Sequence, residues 1–184
     1  MAVRPIRIVL ADDHAVVRGG FRMILDAQPD MRVVGEASDG PGVVALASGE
    51  RPDVVVMDIG MPGMNGIDAT RAILQDNPSA RVLALSMQKD GVYVREMLRA
   101  GAKGYLLKDS SEVDLLAAVR AVHAGKGWLS PGVSDAVLED YRRHVSDPID
   151  LLSPREREVL RLIAESKTNK EIALALNLRD RKST

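Results

Sequence analysis

The sequence predicts a doubly wound parallel α/β domain followed by a small all-helical region. In residues 1–124, short apolar runs alternate five times with segments of helical periodicity, which is the pattern of a parallel sheet with helices on both faces. Residues 54–57 are apolar throughout, as expected of a strand that is covered on both faces. From residue 151 onward only helical patterns occur.

Five strands and four helices are predicted in the α/β part. The strands are expected at residues 6–10, 32–37, 54–57, 81–86 and 104–107. The helices are expected at residues 14–27, 65–76, 91–100 and 111–124. In the last helix, apolar spacing places Val113, Leu116 and Ala117 on one stripe, which we expect to face the core.

The pattern changes after residue 124. Gly125 and Gly127 interrupt the helix, and a short helix is expected at 134–141 before the turn signal Asp147-Pro148. We therefore divide the chain into a first domain over 1–124, a linker over 125–150 and a helical region over 151–184.

Two helix starts stand close together in the last region. Ser153 is followed by a proline and then by Glu156, which forms a capping box with proline at the first helical position. Thr168 and Glu171 repeat the box fifteen residues later. Two capped helices at this spacing predict a helix–turn–helix pair.

Composition limits the classes of function. The 184 residues are 46% hydrophobic and 28% charged, with a net charge of −1, which is globular and gives no strong overall attraction to nucleic acid. Residues 151–184 carry eight basic and five acidic side chains, which is compatible with DNA contact. The absence of cysteine excludes disulfides and thiolate metal sites and fits a cytoplasmic location. We expect no membrane span and no signal peptide, because no apolar run is long enough.

Polar side chains follow four of the predicted strands. Asp12 and Asp13 follow the first strand, Asp58 the third and Lys108 the fifth, and Ser86 ends the fourth. Because ligands gather at the carboxyl ends of parallel strands, we expect these side chains to converge on one edge of the sheet.

Three converging carboxylates repel one another, so the set favours a bound divalent cation, and Mg²⁺ suits carboxylate ligands and phosphate oxygens. With the ion bound, one carboxylate could attack a phosphoryl donor. Lys108 would then pair with one phosphoryl oxygen and Ser86 would hydrogen-bond another. Each carboxylate alone could instead be a loop residue that caps a helix, but their positions at successive strand ends favour a common site.

These residues lie in four segments that together carry a resemblance. The segments are residues 8–14 (IVLADDH), 55–66 (VVMDIGMPGMNG), 84–86 (ALS) and 103–108 (KGYLLK). In this order, and over residues 5–124, the chain resembles the receiver domain of bacterial two-component response regulators, which implies a flavodoxin-like fold and a sensor histidine kinase as partner.

The resemblance implies a role for each residue of the acidic edge. Asp58 would be the phosphoacceptor and also a Mg²⁺ ligand, and Asp13 would be a direct Mg²⁺ ligand. Asp12 would bind the ion through water, and the backbone carbonyl of Gly60 would be a further ligand. Lys108 would contact the phosphoryl group.

The resemblance also implies a switch. Ser86 would move toward the phosphoryl group, and Tyr105 would rotate inward into the vacated space. The face formed by residues 91–100, 104–107 and 111–124 would change as a result, and this face is the expected surface of a homodimer.

The resemblance also bears on the loops after Asp58 and after Lys108. Pro62 and Gly66 would shape the loop after the phosphoacceptor. In the other loop, many receivers carry proline after the lysine, whereas here Asp109 follows Lys108. This departure leaves open whether the Lys108–Asp109 peptide bond is cis or trans.

Residues 151–165 and 167–178 resemble the start of a LuxR-type helix-turn-helix domain, and the whole chain resembles the NarL/FixJ group of response regulators. The resemblance implies control of transcription. Such domains have four helices, and the third enters the major groove. Here six polar residues follow the second helix, so we expect sequence-selective DNA binding by this chain to be weak or lost.

Side chains of the helical region would still reach phosphates, which gives affinity without sequence choice. The expected phosphate contacts are Lys167, Thr168, Lys170 and Arg179. Without further helices, several apolar residues are expected to be poorly covered: Leu160, Ile163, Ile172 and Leu176.

Two other functions are open at this point. One is a receiver that acts only through protein contacts, by titrating a kinase or by dimerising. The other is a phosphatase of the haloacid dehalogenase type, which requires a second aspartate two residues after the nucleophile, where this chain has Gly60. We do not expect an ordinary enzyme, because the chain would transfer a phosphoryl group to itself and hydrolyse it slowly.

Overall fold

The computed structural model describes residues 4–145, 153–165, 167–168 and 171–172. The chain divides into two compact units, Met1–Glu139 and Asp140–Thr184. No helix in these described ranges is both long enough and apolar enough to cross a bilayer.

The first unit is built on a parallel sheet. Its strands are β1 Ile6–Ala11, β2 Met31–Ala37, β3 Val54–Asp58, β4 Val82–Ser86, β5 Gly104–Leu107 and β6 Trp128–Leu129. Their order in the sheet is β2-β1-β3-β4-β5-β6, and every pairing is parallel. The order reverses between β1 and β3, which is where an open parallel sheet forms its ligand crevice.

Helices connect the strands and cover both faces. They are α1 Ala15–Asp26, α2 Gly40–Glu50, α3 Gly66–Asp76, α4 Gly91–Arg99, α5 Glu112–His123, α6 Pro131–Val145 and, in the second unit, α7 Pro154–Ala164. Asn65 caps α3 by accepting from the amide of Asp68, and Ser111 forms a capping box with Asp114 at the start of α5.

The core lies in two layers because side chains alternate along each buried strand. Val55 and Met57 face a cluster that includes residues of α2, α3 and α4. Val54 and Val56 face a second cluster, to which α1 and α5 contribute. All five residues of β3 are buried, as the continuous apolar run predicts.

The predicted fold class is confirmed, with corrections in its parts. The sheet has six strands and not five, because Trp128 and Leu129 pair with β5. The short helix expected at 134–141 extends over Pro131–Val145. Val113 is 73% exposed, so its place on the buried stripe of α5 was wrong. The domain division stays a prediction, and the segment expected to be a linker contains β6 and α6.

Helix α2 was not predicted. Asp39 caps it by accepting from the amide of Gly42, and Pro41 occupies its first turn. Its sequence, GPGVVALASGE, has no polar face, so helical periodicity could not indicate it. Its buried residues are small, with Val43 and Ala47 in the core.

In the second unit, both predicted capping boxes are present. Ser153 and Glu156 cap α7, and Thr168 and Glu171 exchange the same pair of hydrogen bonds. Ile172 is buried and shares a small cluster with Leu162 and Val159, so the expectation that Ile172 is poorly covered was wrong. Leu160 and Ile163 are exposed as expected. Leu176 and the expected end of the helix-turn-helix region lie outside the described residues.

Candidate metal and phosphoryl site at the carboxyl edge of the sheet

The strand ends bring four polar side chains to one edge of the sheet. Asp58 is the last residue of β3 and Ser86 the last residue of β4. Asp12 follows β1 directly, and Lys108 follows β5. The amide of Lys108 donates to the carbonyl of Ser86 at 2.9 Å, so the sheet ladder continues to the residue that carries the ammonium group.

Lys108 bridges two buried carboxylates. Its Nζ lies 2.7 Å from Oδ2 of Asp12 and 2.9 Å from Oδ2 of Asp58. Burial disfavours the charged ammonium, but its hydrogen bonds to Asp12 and Asp58 outweigh that effect, so the pKa of Lys108 is raised. The lysine therefore carries its charge at neutral pH.

Asp13 and His14 form the outer side of the site. Nδ1 of His14 lies 2.8 Å from Oδ1 of Asp13 and 3.2 Å from Oδ1 of Asp12. Ligand atoms of Asp12, Asp13, His14 and Asp58 all lie within 4.8 Å of one another. Our sequence reasoning missed His14, although its position directly after the two aspartates was the available signal.

The donor set fits a divalent cation. Three carboxylates and one ammonium group leave two negative charges uncompensated when His14 is neutral, and carboxylate oxygens are ligands that Mg²⁺ prefers. The residues that would hold the ion are Asp12, Asp13 and Asp58. The amide of Gly60 donates to Oδ1 of Asp58 at 3.2 Å, which places this backbone at the same edge.

Arg18 holds the loop that carries the two aspartates. Its guanidinium donates to the backbone carbonyl of Asp12 and pairs with Glu36 of β2 at 3.2 Å. Sequence reasoning gave Arg18 no role, because one arginine on a helix carries no signal of such a contact.

The loop after Asp58 requires glycine at position 66. A Cβ atom there would lie 2.1 Å from the backbone oxygen of Asp58, which no side chain tolerates. The amide of Gly66 donates to the carbonyl of Ile59 at 3.1 Å and closes the loop. Pro62 is exposed within it, and Gly63 has a φ of 74°, which favours glycine.

Tyr105 and Ser86 are connected through Gln88. The hydroxyl of Tyr105 donates to the carbonyl of Gln88 at 2.8 Å, and Oγ of Ser86 accepts from the amide of Gln88 at 3.0 Å. Burial raises the pKa of Tyr105. We expected Tyr105 to rotate inward upon phosphorylation, and in this structure its ring is already buried.

The loop after β5 is built without proline. No described peptide bond is cis, so the Lys108–Asp109 bond is trans. Asp109 pairs with Lys89 at 3.3 Å.

A cavity of about 310 Å³ lies at this edge, and Asp58, Ser86 and Lys108 are among its lining residues. Its walls thus offer a carboxylate, a hydroxyl and an ammonium group, which suit a small anion such as a phosphoryl group.

Of the expected phosphate contacts in the second unit, Lys167 and Thr168 are exposed. The hydroxyl of Thr168 donates to Glu171 at 2.7 Å, so it is already engaged at the helix start. Lys170 and Arg179 lie outside the described residues.

Two family models match the chain. The model of the response regulator receiver domain matches residues 8–120. The model of bacterial regulatory proteins of the luxR family matches residues 150–181.

The chain is also similar to response regulators of known sequence and structure. The oxygen regulatory protein NreC of Staphylococcus carnosus is 42% identical over 175 residues, which cover 91% of this chain and 81% of NreC. A LuxR-family two-component response regulator from Aurantimonas superposes with a TM-score of 0.72 at 37% identity, covering 75% of this chain and 99% of that one. The RcsB response regulator of Salmonella typhimurium, in a structure concerned with DNA interaction, has a TM-score of 0.70 at 30% identity and covers 95% of this chain and 85% of its own.

Proposed function

The chain belongs to the response regulators that join a receiver domain to a LuxR-type output region, and on that premise we propose that Asp58 is its phosphoacceptor. A protein of this family is a phosphorylation-controlled regulator of transcription and not an ordinary enzyme. The observation that carries the proposal is the ammonium of Lys108, which lies within 2.9 Å of both buried carboxylates, Asp12 and Asp58.

In the proposed reaction, a carboxylate oxygen of Asp58 attacks the phosphorus of a phosphohistidine in a sensor kinase. The new P–O bond forms as the P–N bond breaks, and the electron pair stays on the imidazole nitrogen, which takes up a proton. Asp12, Asp13, Asp58 and the carbonyl of Gly60 would hold Mg²⁺, which would supply positive charge to the transferring group. Lys108, released from one carboxylate, would pair with a phosphoryl oxygen.

The switch follows from the new charge. The phosphoryl group carries about −1.5 to −2 charges and three acceptor oxygens, in place of the single charge of the Asp58 carboxylate. Ser86 would turn its hydroxyl from the amide of Gln88 to one of these oxygens. Gln88 would then lose its bond to Ser86, while its carbonyl accepts from the hydroxyl of Tyr105. The loop after β4 and the start of α4 would therefore shift together with Tyr105.

The partners are part of the same proposal. A histidine kinase would donate the phosphoryl group, and DNA would bind the LuxR-type region through contacts that include Lys167, Thr168, Lys170 and Arg179. Exposed Tyr93 on α4 and Val113 on α5 give the expected homodimer face apolar contacts. A cytoplasmic location rests on the family alone.

The test is treatment with acetyl phosphate and Mg²⁺ followed by intact mass. We expect wild type to gain one phosphoryl group, and Asp58→Asn or chelation of Mg²⁺ to abolish the gain. Asp53→Asn is the matched control, because Asp53 directly precedes the same strand, away from the site, and accepts from the amide of Arg7. Modification of Asp58→Asn at the wild-type level would reject the proposal.

A further inference from the structure

The strand that precedes Lys108, β5, is held by a residue from outside the predicted five-stranded sheet. Beyond the two residues of β6, Ser130 continues the pairing with β5. Its amide donates to the carbonyl of Tyr105 at 3.0 Å, and its hydroxyl oxygen accepts from the amide of Leu107 at 3.1 Å. Leu107 directly precedes Lys108, so Ser130 anchors the point from which the lysine projects.

The same hydroxyl reaches the other end of the lysine loop. Oγ of Ser130 lies 3.3 Å from Oγ of Ser110, and the amide of Ser110 closes the turn on the carbonyl of Leu107 at 3.0 Å. Ser130 is only 2% exposed, so water cannot readily replace these hydrogen bonds. One buried hydroxyl therefore contacts both ends of the segment 107–110.

This loop depends on hydrogen bonds for its shape. Asp109 stands where a proline ring would fix φ, so the backbone after Lys108 is restrained by its contacts. These include the hydrogen bond from the Lys108 amide to Ser86, the turn within the loop, the bonds to Ser130 and the exposed pair of Asp109 with Lys89.

Ser130 also begins the next helix. Its carbonyl accepts from the amides of Val133 at 2.8 Å and Ser134 at 3.2 Å in the first turn of α6. A serine before a helix usually directs its hydroxyl to that helix, whereas this hydroxyl bonds to the end of β5. Val133 is fully buried in the cluster that contains Tyr105 and Leu107, so the start of α6 is packed against the strand that carries both.

We infer that Ser130 is a positioning residue for phosphoryl transfer. Its hydroxyl holds the segment 107–110 so that the Lys108 ammonium stays beside the carboxylate of Asp58. The inference rests on the proposed roles of Asp58 and Lys108. It adds to the phosphorylation site a residue that lies beyond the receiver-domain match, which ends at residue 120.

The test compares rates of modification by acetyl phosphate in Mg²⁺ for wild type, Ser130→Ala and Ser134→Ala. We expect Ser130→Ala to react about three- to tenfold more slowly, the effect of losing one buried hydrogen bond. Its Mg²⁺ affinity should equal that of wild type, because the carboxylates are untouched. Ser134→Ala is the matched control, since the Ser134 hydroxyl donates to the carbonyl of Ser130 and not to β5.

A wild-type rate in Ser130→Ala overturns the inference, and so does equal slowing in Ser134→Ala. A parallel fall in Mg²⁺ affinity also overturns it, because a disturbed pocket would then explain the slower rate. If Ser130→Ala does not fold, Ser130→Cys is measured in its place, because sulfur accepts the hydrogen bond from the Leu107 amide more weakly than the serine hydroxyl does. The same results then support or overturn the inference.

The results that would reject Asp58 as the phosphoacceptor differ from those that would reject the role of Ser130. In that case wild type gains no phosphoryl group, or Asp58→Asn gains one. Modification of wild type at Asp58 together with a wild-type rate in Ser130→Ala rejects the role of Ser130 alone.

Discussion

At the scale of single residues, Lys108 compensates two carboxylates that the fold has removed from water. Asp12 and Asp58 are 2% and 4% exposed, and buried charges are tolerated only when they are paired. Because the folded pKa of Lys108 is raised, its contribution to stability is present below its ordinary pKa of 10.5 and is lost as the pH rises through the folded value.

Replacement of Lys108 by methionine, which keeps the aliphatic stem, should therefore be costly. We expect Lys108→Met to lower the free energy of unfolding by about 3 kcal/mol in metal-free buffer, because two buried carboxylates lose their cation. Added Mg²⁺ should stabilise this variant more than wild type, and urea unfolding with and without Mg²⁺ measures both effects.

Lys103→Met is the control, since Lys103 is exposed just before β5. Equal stabilisation of wild type and Lys108→Met by Mg²⁺ would contradict the idea that the ammonium and the metal compensate the same charges.

Single residues of the site differ in how far sequence could predict them. Asp12, Asp58, Ser86 and Lys108 were predictable as a set because each marks the end of a strand, and parallel strands end at one edge. Ser130 was not, because its contacts depend on a two-residue strand that has no periodicity to detect.

At the scale of elements, a charged pair ties α5 to the loop between α1 and β2. Nε and Nη2 of Arg120 lie 2.8 Å and 2.9 Å from the two carboxylate oxygens of Asp30. The hydrogen bond from Arg120 lowers the pKa of Asp30. The pair contributes to stability above the ordinary aspartate pKa of 3.8, and the contribution disappears as the pH falls through the lower folded value.

Arg120→Ala should accordingly destabilise the protein in a pH-dependent way. Both side chains are more than one third exposed, so we expect a loss of only about 0.5 to 1 kcal/mol at neutral pH. The loss should vanish in acid below the folded pKa of Asp30.

Urea unfolding of wild type and Arg120→Ala over this pH range measures the loss. Arg32→Ala is the control, because Arg32 is an exposed arginine on β2. A loss that persists in acid would show that packing and not charge is responsible.

Elements were predicted to the extent that their sequences are periodic or continuously apolar. The five main strands were placed within one residue at each end, because each contains a short apolar run, and β3, β4 and β5 are buried throughout. Helix α2 was missed because small and apolar residues occupy all sides of the helix, so it has no polar face. Strand β6 was missed because it has only two residues. Both omissions are elements that only tertiary pairing and packing define.

At the scale of the whole molecule, the acidic site and the capped helices of the output region belong to different compact units. A regulator of this family must transmit the state of one to the other. Helix α6 contains residues of both units, Pro131–Glu139 and Asp140–Val145, and its first turn is bonded to Ser130. Hydrogen bonds of Ser130 therefore connect the end of β5 to the first turn of a helix that continues into the second unit. Trp128, two residues before Ser130, is the chain's single tryptophan.

The role of Asp58 is tested by locating the phosphoryl group on the protein. Wild type treated with acetyl phosphate and Mg²⁺ is reduced with borohydride, which converts an aspartyl phosphate into homoserine, and the peptides are sequenced by mass spectrometry. We expect homoserine at position 58. Homoserine at any other aspartate in place of position 58, or none at all in protein that binds Mg²⁺, would contradict it.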